Sequence, residues 1–451
     1  MSKIEPRDVD SGIERLKLFG FHVPASEEQR EALARELRSE VRASLDRQRI
    51  AALPRAPRAS SDEVRSFMDL LLDLSEPASS VSDTLFILLL LKQVATSLEH
   101  GHTAASPYGY MAYAVLLVST EGAYQEAYEL GRAALLLSEE LPRHGLPCQL
   151  HEMFGGHLVF YREPLRAARD YLTRACREGI AAEDFIYAPC AALHLGAVRL
   201  GSGDALKEVR EEAEAGIELA RRCNDPVATD FLTIARQMVA ALEGRTRGHL
   251  TLDDDIFQEA AFSAATGASL AGHWLRIVKI ELSVFGGDEQ GGVSTALEAD
   301  ENPASAGAAY FLTEQSFYTC LALAAARAMD GSYAAVLARH RDRLAVWAAC
   351  CPENFRHKQA LVNAELARAG GAGEEALKLY DEAAEGAKKG GFIHHEALAN
   401  ELSAKLCIGI GLEAEARARL EAALNGYARW GALAKVRELR ETFASRLPQP
   451  A

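Results

Sequence analysis

Ala376, Tyr380 and Ala383 are followed forty positions later by Ala416, Leu420 and Ala423, and Gly391 returns in the same way as Gly431. Residues at i, i+4 and i+7 share one face of a helix, so each triplet is a small–large–small stripe. The alanines admit a neighbouring helix and the large residue fills the gap between them, which is the pattern of stacked helix pairs. A looser version, spaced by forty-one, joins Ala127-Gly131-Ala134 to Ala168-Leu172-Ala175, with turn signals at Glu121-Gly122 and Arg162-Glu163-Pro164. Ala, Leu, Glu and Arg make up about half of the chain, aromatics are only 7%, and stretches of alternating β-branched and polar residues are nearly absent. These features predict an all-α fold, a superhelical solenoid of roughly ten helical hairpins or fewer.

The chain divides into four parts on this reading. Residues 1–62 form amino-terminal helices and a connector: Ser26-Glu27-Glu28-Gln29 has capping-box spacing, and a helix runs from there to about Asp46. Pro54, Pro57 and Ser60-Ser61-Asp62 break it, and helical patterning resumes from Glu63 to Leu74. Residues 63–285 and 309–451 are helical repeats, the second set ending in a capping helix. Between them, 286–308 carries Gly, Ser and acidic residues and reads as an irregular loop or degenerate repeat.

Charge narrows the function. The net charge is −15 over 451 residues, whereas binding to a phosphate backbone needs a basic face, so nucleic acid is not an expected partner. The last hundred residues, 352–451, are balanced at 14 basic and 14 acidic side chains, which leaves the excess negative charge upstream. Apolar blocks such as Leu85 to Leu91 are far short of the roughly 20 residues a membrane span requires. The opening MSKIEPRDVD is polar where a secretory signal is apolar, so a cytoplasmic location without membrane association is expected. Eight scattered cysteines, including the neighbours Cys350 and Cys351, fit reduced thiols packed as small hydrophobes.

The carboxyl-terminal words are more specific than the repeat. They run Cys351-Pro352-Glu353-Asn354-Phe355, His357-Lys358, Asn363-Ala364-Glu365-Leu366-Ala367-Arg368, Ala376-Leu377-Lys378-Leu379-Tyr380-Asp381, Gly391-Phe392-Ile393, Glu396-Ala397-Leu398-Ala399-Asn400-Glu401-Leu402 and Tyr427-Ala428-Arg429-Trp430-Gly431-Ala432. Together they resemble the tetratricopeptide-like helical region of large bacterial signalling proteins that join a serine/threonine kinase domain, an AAA-type ATPase and often a sensor histidine kinase. Leu98-Glu99-His100-Gly101, Phe154-Gly155-Gly156 and Ala228-Thr229-Asp230-Phe231-Leu232 look similar to earlier parts of that region, so the resemblance extends from about Gly12 to Phe443. The chain carries no G-x-x-x-x-G-K-[ST], HRD or DFG motif, and the catalytic activities of those proteins do not transfer to it. The resemblance implies a regulatory repeat region that docks a signalling partner, with a kinase or an AAA-type ATPase as the first partner class.

Local chemistry offers little against that expectation. Gly370-Gly371-Ala372-Gly373 precedes a helix, as a phosphate loop would, but equally forms the turn of a hairpin. His144, Cys148 and His151 are the best local metal candidates, yet Pro142, Gly145 and Pro147 make the segment a loop leading into a helix. His100, His102, His394 and His395 lack further close ligands, and Asp253-Asp254-Asp255 serves as an acidic helix start. No cofactor, metal site or catalytic residue is expected, and the protein is read as a non-enzyme.

In tetratricopeptide repeats the first helix of each pair lines the concave groove. Transferred here, that rule makes Lys358, Glu365 and Arg368, then Glu401 and Lys405, the partner-binding residues. The alternative function is a small-molecule sensor with a ligand held inside the superhelix; an apolar cavity with converging polar groups favours it, and an open charged groove favours docking.

Overall fold

In a computed structural model, residues 6–249, 251–301, 308–325 and 331–447 are described. They form twenty-two α-helices and no strand, with one isolated bridge between Arg58 and His102. The expected all-α helical-repeat architecture is present: consecutive helices pack on one another along the chain. No helix is long and apolar enough to cross a membrane among the described residues.

Two compact units are distinguished, one of residues 1–154 with 177–184 and the other of 155–176 with 185–451. The helices met first are α1 (Pro6–Leu16), α2 (Glu27–Ser44), α3 (Arg47–Ala52), α4 (Asp62–Ser79), α5 (Asp83–His100), α6 (Ser106–Glu121), α7 (Tyr124–Glu140) and α8 (Leu146–His157). The starts of α2 and α4 follow from side-chain capping: Ser26 accepts the Gln29 amide and Ser61 accepts that of Val64. The break expected at residues 53–62 lies between α3 and α4, and α2 ends two residues before Asp46, which caps the extra helix α3.

The chain continues through α9 (Leu165–Ala182), α10 (Tyr187–Ser202), α11 (Leu206–Arg222), α12 (Pro226–Glu243), α13 (Glu259–Thr266), α14 (Leu270–Gly286), α15 (Glu289–Glu301) and α16 (Phe311–Ala325). It closes with α17 (Gly331–Cys350), α18 (Pro352–Ala369), α19 (Gly373–Gly390), α20 (Ile393–Gly409), α21 (Glu413–Trp430) and α22 (Leu433–Thr442). Of the two readings of 286–308, irregular loop or degenerate repeat, the loop does not hold for 289–301, which is helical; residues 302–307 lie outside the described residues. Asp288 accepts the Gly291 amide at 2.9 Å and so opens that helix. Gly292 is small because a Cβ there would sit 3.3 Å from Ser283 and 3.4 Å from Ala322, so this glycine marks close helix packing and not a loop.

The carboxyl-terminal repeat is more regular than the forty-residue echo. Gly371, Gly391, Gly411 and Gly431 all take the left-handed conformation, at intervals of twenty residues, and end α18, α19, α20 and α21 in turn. Ala376, Tyr380, Ala383, Ala416, Leu420 and Ala423 are all buried, as are Ala127, Ala134, Ala168, Leu172 and Ala175. A second register joins these hairpins to helices about 190 positions earlier. Asn354, at the start of α18, donates to the carbonyls of Phe160 at 2.7 Å and Glu163 at 2.8 Å. His394 at the start of α20 lies against Gly203, and Arg437 in α22 lies against Gly244. The helix α16 packs against α14 and α18, and Tyr318 on it reaches His395 on α20.

Candidate functional site

That second register decides where the five expected partner-binding residues go. Lys358, Glu365 and Glu401 are each about 1% exposed, so the expectation of a solvent-facing charged row is corrected for these three. Helix α16 packs on α18, and Lys435 of α22 reaches Glu401 on α20, so these buried charges are paired inside the protein. Lys358 forms an ion pair with Glu314 and lies over the rings of Tyr310, Phe317 and Phe355 at 5.6, 5.3 and 5.9 Å. Nearby Glu281 has its carboxyl pushed up to about 8, first by burial and then by the Glu314 charge.

Beside this pair is a buried histidine group, His357, His394 and His395. His357 Nε2 and His395 Nδ1 are 2.9 Å apart, and His395 Nε2 is 3.2 Å from the Tyr318 hydroxyl. The His394 ring lies 3.8 Å from that of His395. Burial, with the Lys358 charge adding to it, holds all three imidazoles well below their usual range, so they are neutral at pH 7.

Glu365, Arg368 and Lys405 converge on one cleft, where buried acids hold the two cations by a device used twice. In the first hairpin Glu365 on α18 accepts the Tyr380 hydroxyl from α19, and Arg368 grips the same carboxylate with Nε at 3.1 Å and Nη2 at 2.7 Å. In the second, Glu401 on α20 accepts the Tyr427 hydroxyl from α21 at 2.7 Å and binds Lys405 at 2.7 Å and Lys435 at 3.1 Å. Burial opposes the Glu401 charge, yet Lys435, Lys405 and Tyr427 outweigh it and hold its pKa below the ordinary carboxyl value. Hydrogen bonding to Glu365 raises the Arg368 pKa, so this cation stays charged. The cations emerge where the acids do not: Arg368 is 21% and Lys405 39% exposed. Glu365, Arg368 and Lys405 line a cleft of about 380 Å³ whose other walls include Val284, Leu321, Leu402, Leu406 and Ile410.

A second, wider groove of about 980 Å³ was not foreseen from the sequence. It is bounded by the first residues of α9 and α18 and by the outer edge of α19, including Lys378, Asp381, Glu382, Glu385 and Lys389. Most of its charges are matched within the chain: Arg356 binds Glu382 at 3.0 Å, Lys389 binds Glu385 at 2.7 Å, Arg419 binds Asp381 at 2.6 Å, and Arg199 binds Asp204 at 2.9 Å. Arg166 and Lys378 are exposed cations of this groove with no hydrogen bond or ion pair among the described residues. Two helix amino termini facing the same space add positive potential.

The other local candidates take ordinary structural places. His144 is exposed, Cys148 is buried in α8, and His151 bonds Glu178 at 2.7 Å. His102 bonds Tyr110 at 3.0 Å, and all eight cysteines are free thiols. Asp253 accepts the Glu259 amide that opens α13, Asp254 accepts those of Ile256 and Phe257, and Gly371 is the left-handed residue of the α18–α19 turn. No family model matches the sequence, and no curated protein matches it.

Proposed function

We propose that the protein is a non-catalytic helical-repeat module that docks a protein partner in the cytoplasm and regulates it, with a serine/threonine kinase or an AAA-type ATPase as the partner class to test first. The contact site in this reading is the wide groove between α9, α18 and α19, and the partner presents an acidic segment to it. One observation carries the reading: in a chain of net charge −15, the groove's unmatched cations are Arg166 and Lys378, while most of its other charges are neutralised internally. Unpaired exposed cations raise the association rate of an acidic partner, whereas the acidic remainder of the surface repels nonspecific contact.

The experiment is a fluorescence anisotropy titration with a short labelled Asp/Glu-rich peptide and its Lys-rich counterpart. The acidic peptide binds, the basic one does not, and Arg166→Glu with Lys378→Glu lowers the association rate and flattens its salt dependence. Equal binding of both peptides, or unchanged binding by the folded double variant, refutes the reading.

A further inference from the structure

The narrow cleft is a different kind of site from the groove. We propose that it binds a small amphipathic carboxylate, with the anionic head between Arg368 and Lys405 and the apolar tail along Leu402, Leu406 and Ile410. This inference does not depend on the docking role.

A guanidinium has five N–H groups and an ammonium three. Arg368 directs Nε and Nη2 to Glu365, which leaves its Nη1 group without a partner among the described residues. Lys405 makes one hydrogen bond, to Glu401. Both cations thus keep unused donors while their positions are fixed by buried acids that are themselves held by Tyr380 and Tyr427. A ligand carboxylate therefore meets donors that are already oriented, which reduces the entropy lost on binding.

Size and lining agree. About 380 Å³ lies within the usual range for small-molecule sites, which are mostly apolar with a few fixed polar groups. Ile410 is a large hydrophobic residue left 50% exposed at the edge of this cleft, and an alkyl or aryl tail would cover it. The acidic residues Asp288 and Glu289 also border the cleft, but both are solvent-exposed, where water and salt screen them. Glu365 is occupied by Arg368 and Tyr380, so it does not compete for a ligand cation.

The test is isothermal titration of the full chain with octanoate, octan-1-ol and octylamine, which share a tail and differ in the head. Octanoate binds saturably at one site, and octanol and octylamine bind at least about tenfold more weakly, the factor expected for one charge-assisted contact. Lys405→Gln lowers octanoate affinity about tenfold and leaves octanol unchanged. Arg368→Gln does the same if it folds; because it strips a partner from buried Glu365, Ile410→Asp, at a half-exposed wall position, serves as a second block and abolishes octanoate binding. Absence of saturable octanoate binding, equal binding of octanol, preference for octylamine, or unchanged affinity in Lys405→Gln each overturns the proposal.

Discussion

The helices α4–α6 and the helices α16–α22 solve the same packing problem with different chemistry. In the first set the buried polar groups are neutral; several pair locally, while the Gln93 side-chain amide and the Tyr113 hydroxyl are buried without a hydrogen-bond partner among the described residues. Ser97 bonds the Gln93 carbonyl at 2.9 Å and Ser106 at 2.8 Å, and His102, its pKa lowered to about 4 by burial, bonds Tyr110. In the second set the interior holds ions: Lys358 with Glu314, Arg368 with Glu365, and Glu401 with Lys405 and Lys435. Removing ions from water is expensive, and hydrophobic packing of similar shape is often as stable. Charge inside α16–α22 is therefore not there for stability alone. At two of these places the buried acid orients a cation whose donors reach an open cleft, a geometry that the neutral pairs of α4–α6 cannot provide.

The largest effect that separates the two regions is expected from Lys358→Met. It leaves Glu314 buried without its cation and costs about 3–5 kcal/mol in urea unfolding. Adding Glu314→Leu restores much of that loss, and a double variant as unstable as the single one would show that the pair is indispensable and not merely unbalanced by removal. Next is the pH dependence of the Glu281 carboxyl, which faces Glu314, Tyr318 and Lys358. Its pKa is raised in the fold, so between 4.5 and about 8 the folded chain binds more protons than the unfolded one. Stability therefore falls as pH rises through that window and levels off above it. Glu281→Gln flattens this part of the profile in thermal melts across pH, and a profile identical to the parent's would remove Glu281 from the account.

Smaller effects test what the regions share. Ala383→Leu or Ala423→Leu overpacks a helix seam at a cost of about 1–3 kcal/mol, and Ala134→Leu is expected to do the same in the amino-terminal region. An unchanged melting temperature would mean that the repeat register is wrong. The smallest change in stability is expected for Lys378→Glu, within about 0.5 kcal/mol because the side chain is exposed and unpaired.

Much of the fold was legible because it depends on short-range patterns. The stripe Ala376-Tyr380-Ala383 and the recurrence of Gly391 as Gly431 specify a hairpin without knowledge of anything distant. The glycines near 286–292 left loop and degenerate repeat both open, because Gly292 serves a close helix approach and a sequence shows the glycine but not the neighbour. The candidate site was legible in part: Glu365, Arg368 and Lys405 do share a cleft. Lys358 and Glu401 were misplaced because their surroundings come from α16 and α22, and contacts across long separations leave no local periodicity. One signal was present. Helices α16 and α20 show no single polar face, their apolar residues being spread around the circumference, which marks a helix packed on several sides, and Glu314 and Glu401 on them find their partners inside. The wide groove had no such signal, since Arg166 and Lys378 are ordinary helix-surface cations until the fold brings them to one space.

The claim that function lies with the unmatched cations, and not with the buried ones, is tested most directly by amide hydrogen exchange on the full chain with and without the acidic peptide. Added protection is expected at the start of α9, the start of α18 and along the Lys378 edge of α19, with none in α4–α6. Protection centred on α4–α6, or none anywhere at saturating peptide, would contradict it.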